Sequence, residues 1–401
     1  MPLTRRQFTT ALIAAATARP ATGAARAHMP DVLRAGELGG VGGQSGPIWA
    51  YDGMLPGPVI HAERGRRVVR RLENGLPVAS AVHWHGTRID SGNGGADHLL
   101  DAVAPGSGFL YDFAVRDAGT YWYRSLDQAR TPIARGLHGF LIVGEEAPPD
   151  IDEDLPLAVT DRHVALDPAP DDHTPRLVTC EMRQGQRLRL RMVNASAHHL
   201  LRLEPHGLTA WIAALDGMPL PQARRLSAPF LLAPGQRADI LADVTLDAGE
   251  RAALLHRTAS GPVVLATFPV TGRGRSRRAP LPLEPNPLAQ PMRRSVRRMV
   301  MRLSRSHGPD GPPLFTARAG ETVQLRLTND STAMQTVHLH GHHMHLIDRE
   351  NSPGAVRDTV LIRAGDSRQV IFVADNPGDW MIECHSLAPH HKGRRARFRV
   401  T

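Results

Sequence analysis

Arg183-Gln184-Gly185-Gln186-Arg187-Leu188-Arg189-Leu190-Arg191-Met192-Val193-Asn194 reads as a turn, then an alternating strand, then a stop. The same grammar stands in Glu63-Arg64-Gly65-Arg66-Arg67-Val68-Val69-Arg70-Arg71-Leu72-Glu73-Asn74 and in Arg318-Ala319-Gly320-Glu321-Thr322-Val323-Gln324-Leu325-Arg326-Leu327-Thr328-Asn329. In each copy a glycine turn precedes an alternating run, and asparagine closes it. Recurrence of this unit argues for related β modules rather than one continuous sheet. Outward from it, the chain keeps to short β-favouring runs broken by turn residues, as in Tyr111-Asp112-Phe113-Ala114-Val115 and Gly139-Phe140-Leu141-Ile142-Val143. With Gly 37 and Pro 33 in 401 residues, long helices are disfavoured. The expectation is therefore all-β: three consecutive Greek-key β-sandwich domains. Their bounds are read as 45–150, 151–270 and 306–401, with Pro148-Pro149 marking the first boundary. The Arg/Pro-rich stretch 271–305 reads as a basic linker holding a short docked strand or helix near 296–303.

The formal charge of +9 is almost all arginine, since Lys392 is the sole lysine. No interleaved aromatics or zinc-finger spacing accompany it, which argues against nucleic acid as a partner. At the N-terminus, Thr4-Arg5-Arg6-Gln7-Phe8 precedes a small apolar run and Ala25-Arg26-Ala27. Residues 1–27 therefore resemble a twin-arginine signal, which exports folded proteins to the periplasm. The apolar run is too short for a stable membrane anchor. Cys180 and Cys384 offer no disulfide framework and are read as having independent roles.

The histidines carry the chemistry. Side chains alternate along a strand, so His83-Trp84-His85 presents both imidazoles on one face, as does His338-Leu339-His340. Glu383-Cys384-His385 places Glu383 and His385 on one face and Cys384 on the other. His342 belongs to the motif around His340, while His343 and His345 read as exposed or supporting residues.

These segments resemble the metal-binding segments of multicopper oxidases, as do Tyr121-Trp122-Tyr123, Asp375-Asn376-Pro377-Gly378-Asp379-Trp380 and Ala233-Pro234-Gly235-Gln236-Arg237-Ala238-Asp239. The resemblance covers nearly the whole chain after the signal and implies three cupredoxin-like domains. It also implies a blue copper that passes electrons from a reducing substrate to a three-copper cluster reducing dioxygen. By resemblance, His83 and His338 match the ligands of the single cluster copper. His85 and His385 match those of one paired copper, with Arg124 in the third place. Only His340 matches its partner, with Leu126 and Glu383 where histidines are expected. At the blue-copper position Cys384 is kept, while Gln335, Pro389 and Arg394 stand in the other places and His390 lies one residue out of register.

Two expectations stand side by side: one residual copper, with zinc less favoured, drawn from His83, His85, His338, His340 and His385, with Glu383, Cys384 and His390 as additional or supporting groups, or a metal-free polar core descended from a metal site. A full four-copper complement is not expected. Arg124 and Glu383 are read as an ion pair replacing part of the cluster. The implied role is a noncatalytic periplasmic protein whose partner is an envelope protein or a small molecule. The alternative is a copper-dependent oxidoreductase coupling oxidation of a phenol or a metal ion to dioxygen reduction.

Overall fold

The computed structural model describes residues 31–38, 48–96, 101–126, 136–161, 178–292, 294, 296–304, 311–347, 353–388 and 393–401. The twin-arginine segment, Pro389 and His390 lie outside the described residues. The three repeated units form the strands Arg67–Asn74, Arg187–Asn194 and Glu321–Thr328, each an inner strand of its sheet. Gly65, Gly185 and Gly320 hold φ of 80°, 83° and 81°, a left-handed turn that other residues rarely adopt.

The closing asparagines share one task. The Nδ2 of Asn74, Asn194 and Asn329 donates to Val103 O, Leu232 O and Ala333 O, each at 2.8 Å. Each Oδ1 accepts from the backbone N–H two residues on, at 3.1, 3.0 and 3.2 Å. Asparagine ends the strand because its amide ties the loop that follows.

Among the described residues, six sheets surround three principal apolar cores. Around the first, Arg67–Asn74 lies between Asp31–Leu38 and Gly108–Ala114, opposite a sheet of Gly57–Glu63, His138–Gly144, Gly119–Leu126 and Ala81–His85. Asp31–Leu38 thus joins the first sheet from ahead of residue 45. All four tyrosines of the chain, Tyr51, Tyr111, Tyr121 and Tyr123, sit in this core together with Trp49 and Trp84. The second core gathers Leu188, Leu190, Met192, Ile212, Ile240 and Phe268. The third gathers Val323, Leu325, Phe372, Trp380, Phe398 and Cys384.

The basic stretch ends in the docked element expected near 296–303. Its end forms the strand Val296–Arg302, which runs parallel to Glu321–Thr328 at the edge of the third region's sheet. Period two explains this, because Met301 and Leu303 are buried in the third core and Met299 packs against it.

Candidate metal centre

Two antiparallel strand pairs meet at the site. Ala81–His85 pairs with Gly119–Leu126, setting His83 opposite Arg124 and His85 opposite Trp122. Gln335–Leu339 pairs with Gly378–Ser386, setting His338 opposite Glu383 and Val337 opposite Cys384. The imidazole faces of the two pairs then converge. His83 Nε2 lies 3.1 Å from His338 Nε2, and the His85 ring stacks on His338 with centroids 3.6 Å apart. His83, His85 and His338 each bring a ring nitrogen within 4.8 Å of the others. His340 stacks on His83 at 4.0 Å but is not in that group.

The hydrogen bonds assign the tautomers. His338 Nδ1 lies 3.1 Å from the Asp358 carbonyl, so it carries hydrogen and its Nε2 accepts from His83 Nε2–H. Arg124 Nε donates to His85 Nδ1 at 3.4 Å, which leaves His85 Nε2–H to donate to Thr359 Oγ1 at 3.1 Å. Burial, reinforced mainly by neighbouring imidazoles, holds the basicity of His83 and His85 well below the usual imidazole range. Both rings are therefore neutral, the form that binds metals.

Beneath the histidines lies a buried anchor. Asp358 receives a two-pronged contact from Arg237, with Nη1 3.1 Å from Oδ1 and Nη2 2.5 Å from Oδ2. Burial pushes the Asp358 carboxyl upward, but the Arg237 charge and hydrogen bonds from His338 and His85 outweigh it and hold the group well below its usual range. Arg237 also donates through Nε to Thr120 O at 3.1 Å, so this side chain touches all three β regions. Gly86, with φ of 86°, leaves room for the pair, since a Cβ there would collide with both partners.

Arg124 and Glu383 form a buried ion pair, each side chain only 3% exposed. Glu383 Oε2 also lies 3.2 Å from His385 Nε2 and 3.6 Å from His340 Nε2, while Oε1 faces Arg395 at 3.3 Å. Burial opposes the charge on Glu383, but Arg124 and His385 hold its carboxyl well below the ordinary value. Leu126 packs with Ala81, Ala96 and Met381. A cavity of about 30 Å³ beside His85, Trp122, Arg124 and His385 has room for about one water.

His83, His85 and His338 form a donor set that could hold a metal ion. His83 Nε2 and His338 Nε2, 3.1 Å apart, have the spacing that one ion requires with bonds of about 2.0–2.1 Å, once the hydrogen between them is carried on His83 Nδ1 instead. The remaining cluster positions hold a guanidinium that cannot deprotonate, an apolar side chain and a carboxylate already engaged. At the blue-copper position the described residues Gln335 and Cys384 make other contacts. Gln335 Nε2 donates to Asn329 Oδ1 at 3.2 Å and Ser331 Oγ at 2.9 Å, and Cys384 lies in the third apolar core. Burial, then the Glu383 charge, pushes the Cys384 thiol up to about 12. A thiol reagent at neutral pH is therefore expected to modify the partly exposed Cys180 while sparing Cys384 until the protein unfolds. Mass mapping of equal labelling at both sites in the native state would refute this.

Of the two readings for His343 and His345, exposed or supporting, exposure fails, since they are buried, at 3% and 7% exposure. His343 Nε2 lies 3.7 Å from Asp358 Oδ2, and His345 stands in the strand Met344–Ile347 opposite Val356 and Ile371. Sequence reasoning missed Asp358, Thr359 and Asp216, whose carboxylate accepts from Arg237 N at 2.8 Å. Alternating arginines do face acids across adjacent strands, but away from these residues. Arg187 meets Asp243 at 2.6 Å and Arg189 meets Asp239 at 2.5 Å across adjacent strands.

Two family models, each described as multicopper oxidase, match residues 36–148 and 279–401. Multicopper oxidase MmcO of Mycobacterium tuberculosis (strain H37Rv) is 24% identical, covering 94% of this chain and 88% of that protein. The crystal structure of Lac15, from a marine microbial metagenome, is 33% identical with a TM-score of 0.80, covering 93% of this chain and 100% of that one. A multi-copper oxidase from Pseudomonas thermotolerans is 27% identical with a TM-score of 0.78, covering 93% and 99% respectively.

Proposed function

We propose that this chain, which belongs to the multicopper oxidase family, is a periplasmic member with a degenerate copper site that acts as a noncatalytic binding or envelope-support protein and keeps a single copper position. The observation that carries this reading is the buried Arg124–Glu383 ion pair among the cluster histidines. A metal cluster needs vacant, deprotonated donors, whereas this position holds a permanent cation with its carboxylate already bound. His83 and His338 would hold the remaining ion, with His85 beside them and Asp358 and Thr359 orienting the rings. Copper bound there would supply a one-electron redox centre, and zinc fits the same imidazoles less specifically. Export follows the twin-arginine reading of residues 1–27.

Metal analysis after copper loading and desalting should return about one ion per chain. His83→Ala with His338→Ala should abolish retention while envelope function persists. About four coppers, with oxygen consumption on a phenol or reduced metal ion, would instead establish the oxidoreductase alternative.

A further inference from the structure

The strand Val296–Arg302 forms an edge of its sheet, and among the described residues no strand pairs with its outer side. Its orientation follows from one bond, Leu303 N–H donating to Thr328 O at 2.9 Å. Backbone groups alternate along a strand, so residues 297, 299 and 301 turn toward the neighbouring strand. The N–H and C=O groups of Arg298, Val300 and Arg302 turn outward. Their side chains also leave the core, with Val300 57% exposed. Across the parallel register Val300 stands beside Arg326, which is exposed on the same face. Arg297 is neutralised by Glu321 at 2.8 Å and Arg302 faces Asp330 at 3.7 Å.

The geometry points to a docking edge for an extended acidic segment of another protein, which adds as a strand beside Val296–Arg302 and sets carboxylates against Arg298 and Arg326. Outward backbone groups supply ladder hydrogen bonds, Val300 offers an apolar contact, and the flanking guanidiniums select negative charge. A second copy is disfavoured by the same charges. Antiparallel self-pairing about Val300 would set Arg298 opposite Arg302 of the other copy, a like-charge contact. A lipid surface would use the charges but leave the directional edge groups without strand partners. This inference names a partner class for the binding role proposed above and rests on it.

The test uses the folded full chain and a labelled peptide of alternating glutamate and valine, with a lysine–valine peptide as control. The acidic peptide should bind selectively and weaken steeply with added salt. Arg298→Glu with Arg326→Glu should weaken binding about tenfold or more. Val300→Pro should do the same, because it removes an outward N–H while sparing the inner ladder. An unchanged thermal midpoint would show that these variants remain folded. Equal binding of both peptides, or full binding by the folded proline variant, would overturn the edge model. Capture by phosphatidylglycerol vesicles, unaffected by Val300→Pro and without peptide binding, would replace it with a membrane surface. Peptide failure beside a one-ion result would remove only this inference, whereas four coppers beside peptide binding would remove only the noncatalytic reading.

Discussion

Replacing Arg237 by methionine should destabilise the protein by about 3–5 kcal/mol, the cost of leaving a buried carboxylate without its partner. Asp358 and Arg237 are both fully buried, so water cannot substitute for the lost guanidinium. The substitution also removes the donor to Thr120 O, a contact between the first and second β regions. Denaturant titration would read the loss as a lower midpoint. Pairing Arg237→Met with Asp358→Leu should recover part of it, because the stranded charge is then gone. A loss below about 1 kcal/mol in the single variant would show that the pair does not anchor the site.

Arg124→Met should have the second largest effect, about 3 kcal/mol, because Glu383 then lies buried without its principal cation. Arg395 and His385 remain beside the carboxylate, which keeps the cost below that at Asp358. Adding Glu383→Leu should return most of the stability. Removing the guanidinium should also tighten copper binding at His83 and His338, measurable by competition with a chelator, since a fixed cation no longer repels the ion. Copper affinity unchanged in a folded Arg124→Met protein would show that the ion pair does not control the site.

The fold was largely legible because its signals are local. A glycine turn, an alternating run and a terminal asparagine sit within a dozen residues, and the asparagine amide performs the same loop closure in each copy. The face-sharing of His83 with His85 was legible for the same reason. Arg237 and Asp358 were not, because they meet across 121 positions of sequence. Neither histidine period nor composition reports a contact of that range. Exposure stayed open for His343 and His345 because local pattern does not reveal which loops cover a strand end, and the structure buries both. The strand Val296–Arg302 was legible as a short docked strand or helix near 296–303, and its inward face, which repeats with period two, makes it the strand.

The concentration of every tyrosine in the first core has a consequence in alkaline solution. Burial drives the phenols of Tyr51, Tyr111, Tyr121 and Tyr123 above their ordinary value of 10.0. The folded chain therefore keeps protons that the unfolded chain releases, and stability present below pH 10 declines as pH rises beyond it. Neighbouring carboxylates hold the buried guanidiniums of Arg189 and Arg237 above their ordinary range, so they keep their charge through that window. Because all four tyrosines share that core, phenolate absorbance would follow their ionisation as the pH rises.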